Sequence, residues 1–310
     1  MHEIKMTEAD IIFSNGIPED LDRKKIFVTD DNELNNFPKR ERQSHKGTFG
    51  TALIVAGSAA FGGAPILCAE AAFATGVGMV KVFTHADNRT ALLARLPEVI
   101  PICYTDDNLT EMLGVLIEEI KKADSVTVGP GLSTDDNARR ITETVFINCK
   151  ERLVADADAL NIISENKESF NINTSGMKIF TPHIKEAARL LGKSAQEIAK
   201  NKSEALNELV TGYGVTAVLK DAFTFIGDGC ELIINTAGNS GMATAGSGDV
   251  LCGILAGLAA RGLEGINLAT LGVYLHARAG DVAAERFGEN SMKASDIVKA
   301  LPDVIKCTKL

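Results

Sequence analysis

Tryptophan is absent from this sequence, tyrosine occurs three times, and aromatic residues make up 5% of the 310 positions. Surfaces that stack the bases of single-stranded nucleic acids interleave aromatic rings with cations, and no such interleaving occurs here. Cations are in deficit as well: 32 Lys and Arg stand against 41 Asp and Glu, for a formal charge of −9. A nucleic-acid partner requires the opposite, a basic face, and is excluded as an expectation. Paired cysteines are lacking. Cys68, Cys103, Cys149, Cys230, Cys252 and Cys307 are scattered without a C-x-x-C motif. Several lie in apolar runs, where a thiol packs as a small hydrophobe, so reduced cysteines in a cytoplasmic protein are expected. No uninterrupted apolar run of membrane length is present either. The most hydrophobic stretch, 51–80, contains Glu70, a proline and five glycines. Its pattern turns from strand-like to helical, as in a buried strand–loop–helix rather than a membrane span. The first eight residues hold no apolar core of a signal peptide. There is no G-x-S-x-G elbow, no H-E-x-x-H, and Gly76-Val-Gly78 lacks the third glycine of a dinucleotide fingerprint.

Residues 1–45 are polar and aperiodic and end in Pro38-Lys-Arg-Glu-Arg-Gln-Ser44. They are expected to form a linker or surface arm that contributes little to a core. From Thr51 onward, β-rich runs (52–56, 80–83, 125–128, 153–155, 178–180, 217–220, 224–226 and 231–234) alternate with helical patterns. The helical stretches are 64–75, 88–96, 109–123, 137–149, 184–191, 195–211, 250–261 and 267–287. Such alternation predicts βαβ units around a mostly parallel sheet. The last two runs, separated by Gly227-Asp-Gly229, predict a hairpin.

Ligands of open α/β sheets sit beyond the carboxyl ends of the strands. Five consecutive strand ends carry Gly, Asp, His or Lys: Gly57, Gly129-Pro-Gly131, Asp156 with Asp158, His183, and Lys220 with Asp221. They predict one composite site. The densest segment runs from Asn235 through Gly238, Gly241, Gly246 and Gly248 to Asp249, directly before the apolar helix. Small residues let backbone amides close on an anion, and the helix N-terminus adds partial positive charge. Asp249 falls at or beside the expected N-cap, where it either caps the helix or acts on a substrate. Eight glycines between Gly238 and Gly265 exceed what a cap needs. Gly241 and Gly246 have Walker A spacing, but the following Lys-Ser/Thr is missing. Lys220 either meets a phosphate as a point charge or is a solvated strand end. His183 alone reads as a structural or surface residue. Glu186 suits the first turn of a helix or a water held on a metal. Asp156 and Asp158 suit Mg²⁺ through waters or the cap of a next helix.

Taken in order, these segments resemble the ADP/ATP-dependent NAD(P)H-hydrate dehydratases of the ribokinase-like superfamily. The matching runs are His45-Lys-Gly-Thr-Phe-Gly50, Ala56-Gly-Ser58 with Gly63-Ala-Pro65, Gly129-Pro-Gly-Leu132, Asp156-Ala-Asp-Ala-Leu160, Thr181-Pro-His183, Val218-Leu-Lys220 and Gly238 to Asp249. Tyr274-Leu-His276, Ala279-Gly-Asp281 and Ala294-Ser-Asp296 continue the match to near the C-terminus. Two departures stand out: Ile184-Lys185 replace a Pro-Gly pair, and Asp221 replaces a glycine. The resemblance implies a three-layer sandwich, with a mostly parallel central sheet and helices on both faces, over residues 46–310. It likens Asn15–Asp20 to the tail of an epimerase domain that is itself absent.

The implied activity is dehydration of hydrated (6S) NADH and NADPH, driven by ADP or ATP with Mg²⁺, in a homo-oligomer, suggested to be a tetramer. By residue-wise carry-over, Ala64, Gly131, His183 and Asp249 would contact the hydrated dinucleotide. Lys220, Asp221, Ala222, Phe223, Thr224 and Gly248 would contact the nucleotide. The amides of Ala245, Gly246, Ser247 and Gly248 would form an anion hole, Asp249 would be the base, and Glu186 would hold a metal-bound water. A small-molecule kinase of the same superfamily would use the same base, and a nucleotide-binding sensor would use none.

Overall fold

The computed structural model describes residues 2–3, 26–165, 170 and 176–306. Within them, eleven strands form one sheet: β1 His2–Glu3, β2 Ile26–Val28, β3 Thr51–Val55, β4 Met79–His85, β5 Ile100–Tyr104, β6 Ser125–Val128, β7 Arg152–Ala155, β8 Met177–Phe180, β9 Thr216–Leu219, β10 Thr224–Gly227 and β11 Leu232–Asn235. Their spatial order is β1-β2-β11-β10-β9-β8-β7-β6-β3-β4-β5. Pairing is parallel from β5 through β3 to β9, antiparallel through the β9–β10–β11 meander, and parallel again between β11 and β2. After β1 and β2 at one edge, the chain enters mid-sheet at β3, runs outward through β4 and β5, then returns to the other side of β3 with β6. That reversal makes the crevice between β3 and β6 the topological switch point, where this class of sheet binds ligands.

Eleven α-helices flank the sheet among the described residues: α1 Gly63–Ala74, α2 Arg89–Arg95, α3 Leu109–Ile120, α4 Asp136–Asn148, α5 Asp158–Glu165, α6 Ile184–Leu191, α7 Ala195–Lys200, α8 Lys202–Tyr213, α9 Ser247–Ala260, α10 Gly265–Phe287 and α11 Ala294–Lys306. Alternate strand residues point to opposite faces, and the core divides accordingly. Leu53, Val55, Val126, Val128, Phe180 and Leu219 join one buried cluster with α3, α4, α5 and α8. Ala52, Ile54, Val80, Val82, Val154 and Val218 join the other with α1, α9, α10 and α11. Fully buried on both faces, these parallel strands read as continuous apolar runs. The expected three-layer α/β architecture is the one found.

Several elements differ from the sequence expectation. The N-terminal arm is not merely peripheral. Ile26 and Val28, 1% and 2% exposed, form a strand beside β11, and Leu34 is buried as well. Thr29 donates to Asn235 Oδ1 (2.9 Å) and Tyr274 to Asp31 Oδ1 (2.6 Å), fastening the segment to the body. Strand β5 was hidden by Pro101, which an edge strand tolerates because one side needs no ladder donor. Helix α11 was hidden by its internal Pro302. The expected helix over 195–211 divides at Asn201, where a new first turn begins with Lys202. Helix α5 was not among the expected helical stretches, although the cap of a next helix was one reading of Asp156 and Asp158. Asn15–Asp20 and Cys307 lie outside the described residues, and the other five cysteines are free thiols. Among the described residues no helix is long and apolar enough to cross a membrane.

Candidate active site

The five strand-end turns lie along one sheet edge. Strands β3, β6, β7, β8 and β9 run in the same direction, and the turns are tied sideways by main-chain hydrogen bonds. Gly57 N donates to Pro130 O (2.9 Å), Asp156 N to Val128 O (3.1 Å), Thr181 N to Ala155 O (3.2 Å) and Lys220 N to Pro182 O (2.8 Å). The His45–Gly50 run and Gly76-Val-Gly78 precede β3 and β4 and so belong to the opposite edge. A Cβ on Gly78 would lie 1.7 Å from Lys46 O, so that glycine serves backbone packing.

At the switch point, Gly131 has φ +61°, and a Cβ there would lie 2.9 Å from Ala64 Cβ and 3.0 Å from Phe61 Cβ. Gly131 and Ala64 therefore meet at the mouth of the crevice, as expected of two contacts to one ligand. Ala64 lies in the first turn of α1, whose second turn packs against the first turn of α9. There Cys68 Sγ donates to the Asp249 carbonyl (3.1 Å). Burial, then the charges of Asp249 and Asp156, push the Cys68 thiol well up and leave it unreactive.

Helix α9 begins at Ser247, not Val250, because Gly246 takes the left-handed conformation (φ +90°) just before it. Asp249 is thus the third helical residue. The helix has no side-chain cap, which removes the capping reading of Asp249. Its carboxylate makes no hydrogen bond to another described residue. Burial, helped by the charges of Asp156 and Asp158 and opposed by Lys220, pushes it up to about 6. Two of the eight glycines counted toward this site do something else. A Cβ on Gly253 or Gly257 would strike Cys68 O at 2.2 Å or Thr75 Oγ1 at 2.1 Å, so both exist for α1–α9 contact.

Beside Asp249 stands a buried polar network. Asp156, 2% exposed, accepts from Lys220 Nζ (2.6 Å) and Thr181 Oγ1 (2.8 Å), both on Oδ1. Burial alone would lower the Lys220 pKa, but Asp156 and Glu186 overcome it and hold the ammonium above its usual value. A Cβ on Gly248 would lie 3.5 Å from Lys220 Nζ and 3.6 Å from Asp156 Oδ2. The lysine therefore points at the start of α9, where anionic charge is favoured.

His183 caps α6 despite the Ile184-Lys185 departure. Its Nδ1 accepts from Lys185 N (3.0 Å) and Glu186 N (3.2 Å), and Glu186 Oε2 accepts from His183 N (2.8 Å). The ring hydrogen accordingly sits on Nε2, 3.3 Å from Glu186 Oε1. Burial chiefly pushes Glu186 up to about 7, against the pull of Lys220. Burial and then Lys220 lower His183, which is neutral near pH 7.

A cavity of about 870 Å³ opens between the β9–β10 turn, the loop from Asn235 to Thr244, the first turn of α9, and α10. Lys220, Asp221, Ala222, Phe223, Thr224 and Gly248 all line it, so the residues expected at the nucleotide are brought together, and His183, expected at the dinucleotide with Ala64 and Gly131, lines it too. Ala64, Gly131 and Asp249 lie outside its lining, Asp249 directly following the lining residue Gly248 on the first turn of α9. Asp221 bonds to the buried Lys202 (2.5 Å), which accounts for its tolerance here. No three His, Cys, Asp or Glu side chains among the described residues converge as a metal cage. Asp156 is engaged by Lys220 and Thr181, and Glu186 by His183. This donor set fits a magnesium that arrives on phosphates and keeps its waters, not one caged by protein.

Sequence reasoning missed two residues that shape the cavity. Asp281 on α10 accepts from Gly238 N (3.3 Å) and Asn239 Nδ2 (3.1 Å), fixing the loop. His276, also on α10, places Nε2 3.3 Å from Ser247 Oγ. Both fell within segments quoted for the resemblance, but inside a long helix neither stood out as a site residue.

A family model described as NAD(P)H-hydrate dehydratase matches residues 52–303. The bifunctional NAD(P)H-hydrate repair enzyme Nnr of Vibrio cholerae is 38% identical over 268 residues, covering 86% of this chain and 52% of that protein. The ADP-dependent (S)-NAD(P)H-hydrate dehydratase of Neisseria meningitidis is 38% identical over 257 residues, covering 81% of this chain and 83% of that one. The chain spans about half the length of the bifunctional curated relatives it matches. The ADP/ATP-dependent NAD(P)H-hydrate dehydratase of Bacillus subtilis, co-crystallised with ATP and Mg²⁺, superposes with a TM-score of 0.78 at 25% identity, covering 91% of this chain and 99% of that one. Ribokinase-like structures share the fold. The chain therefore belongs to the NAD(P)H-hydrate dehydratase family.

Proposed function

We propose that this protein dehydrates hydrated NADH and NADPH at the expense of ADP or ATP, releasing phosphate and AMP or ADP. The observation that carries this reading is Asp249: a carboxylate with no hydrogen-bond partner among the described residues, pushed up to about 6, beside the cavity-lining Gly248. Hydroxide is a poor leaving group from the hydrated ring, and phosphorylation makes it a good one. Asp249 takes the proton of the ring hydroxyl as that oxygen attacks the terminal phosphoryl group. The bond from that phosphorus to its bridging oxygen breaks, leaving AMP or ADP. Loss of phosphate and a ring proton then restores the double bond.

Around this step, Ala64, Gly131 and His183 hold the dinucleotide. The β9–β10 turn, from Lys220 through Asp221, Ala222 and Phe223 to Thr224, frames the nucleotide with Gly248. The amides of Ala245, Gly246, Ser247 and Gly248 receive the moving negative charge together with Lys220. Bound on the phosphates, magnesium would neutralise part of their charge, and Glu186 would hold one of its waters. The protein acts in the cytoplasm, a reading that rests on its scattered cysteines, and as a homotetramer, which rests on the resemblance alone. Incubation with hydrated NADH, Mg²⁺ and either nucleotide should return absorbance at 340 nm and release free phosphate in equal amounts. A stable phosphorylated product would identify a kinase instead, and neither signal would identify a binder without turnover.

A further inference from the structure

His276 is a half-buried titratable group that this mechanism does not use. It lies on α10, lines the nucleotide cavity, and faces the first residue of α9, with Nε2 3.3 Å from Ser247 Oγ. Which way the hydrogen runs between Nε2 and Oγ is set by the tautomer of the ring. Burial, then the nearby Lys220 cation, lower its pKa to about 4, and the ring is neutral near pH 7. A neutral imidazole has one N–H and one bare nitrogen. If the bare nitrogen faced Ser247 Oγ, the serine would give its hydrogen backward and turn a lone pair on an incoming anion. With N–H facing Ser247, the hydroxyl hydrogen is left to point into the cavity.

We propose that His276 is a positioning residue: it pins Ser247 at the head of α9 and keeps the serine hydroxyl as a donor to the phosphoryl group in transfer. The proposal rests on the function given above. The choice of a neutral donor has a physical reason. Ser247 is two residues from Asp249, and a permanent cation in place of His276 would favour the ionised carboxylate and weaken it as a base. Lys220 already supplies the positive charge, and a neutral donor adds direction without adding charge. Helix α9 contributes amides whose aim depends on where its first residue sits. His276 is the side chain found in hydrogen-bond contact with that residue from another element.

The test is a double-mutant cycle in the full chain with Ser247→Ala, His276→Leu and the pair together, plus His276→Gln, which keeps an N–H donor. Single-turnover phosphate release from ADP or ATP with hydrated NADH should fall about 10- to 100-fold in His276→Leu, somewhat below the loss from deleting one donor of an oxyanion hole. The double variant should be no slower than Ser247→Ala alone, since the histidine acts through the serine. His276→Gln should recover most of the rate. Melting temperature should stay near wild type, and affinity for nucleotide alone should fall far less than the rate, a split that a purely structural role would not give. In parallel, binding of AMP or ADP with aluminium fluoride, a mimic of the moving phosphoryl group, should weaken in His276→Leu and no further on adding Ser247→Ala. A wild type that binds this mimic but releases no phosphate would sink the functional reading while leaving the positioning role standing. Losses that multiply in the double variant, or mimic binding unchanged in His276→Leu, would overturn the role of His276.

Discussion

Asp249→Asn removes one oxygen's charge and almost no volume, and the structure gives it two opposite consequences. In the folded protein the carboxylate is pushed from the usual 3.8 up to about 6, chiefly by burial and then by Asp156. Raised rather than depressed, this group binds more protons folded than unfolded between about pH 4 and pH 6. By linkage, stability falls as pH rises through that window and stays lower above it. Two units correspond to about 3 kcal/mol at 1.36 kcal/mol each. Partial exposure and the opposing Lys220 reduce this to about 1–2 kcal/mol. Asn cannot ionise and avoids the loss. At pH 7.5 the variant should be more stable by that amount, melting about 2–5 °C higher, while at pH 4 the two proteins should match. Single-turnover phosphate release should meanwhile fall by about 10²–10⁴-fold, the worth of a positioned base, with ADP or ATP still bound. Calorimetric melts at both pH values and a rapid-quench assay read the two effects separately. A variant less stable than wild type at pH 7.5 would mean that the carboxylate is held by bonds. One keeping more than about a tenth of the rate would mean that it is not the base.

Because Asp249 must be ionised to act, kcat/KM should rise with pH along an acid limb centred near 6 and then level off; a profile flat down to pH 5 would contradict the assignment. Asp221→Gly should leave Lys202 buried without its partner and lower stability in urea by about 1–3 kcal/mol. The preference between ADP and ATP should shift less than twofold, and a larger shift would show that Asp221 reads the nucleotide. Deleting residues 1–30 removes two nearly fully buried side chains, Ile26 and Val28, and should lose about 3–6 kcal/mol at 1.5–3 kcal/mol for each, measured by denaturant midpoint. A loss under 1 kcal/mol would show that β2 adds nothing.

What could be read from the sequence was whatever is local. A strand's apolar run followed by glycine, aspartate or lysine is contiguous, so the turns at Gly57, Gly131, Asp156, His183 and Lys220 could be assigned to one edge. Strand β2 could not. Its three residues sit in a polar flank and become buried only by pairing with β11, some two hundred residues later. Pro101 and Pro302 each broke a pattern that tertiary context tolerates, at a sheet edge and within an amphipathic helix. The start of α9 was read three residues late because Ser247 and Gly248 are poor helix formers. That shift alone made Asp249 look like a cap. The glycine count misled in part, since Gly253 and Gly257 answer to helix packing rather than to an anion. The contact between His276 and Ser247 spans 29 positions and leaves no mark on either local pattern.

The chemistry of the site follows from which acids are already taken. Asp156 is committed to Lys220 and Thr181, Glu186 to the His183 cap, Asp221 to Lys202, and Asp281 to Gly238, Asn239 and Arg278. Each is a carboxylate that holds a turn or loop of the site in place, and each gives up basicity or freedom in doing so. Asp249 has no hydrogen-bond partner among the described residues, and it lies on the rigid first turn of a helix locked by glycines against α1. The same placement raises its pKa, because no donor stabilises its charge, and leaves it able to accept a substrate proton. Giving Asp249 a partner would add stability and remove the base, while removing the partners of its neighbours would leave the base with nothing to aim it. On this argument the extra stability expected of Asp249→Asn and its loss of turnover have one origin, an ionised carboxylate kept unsatisfied by the structure around it.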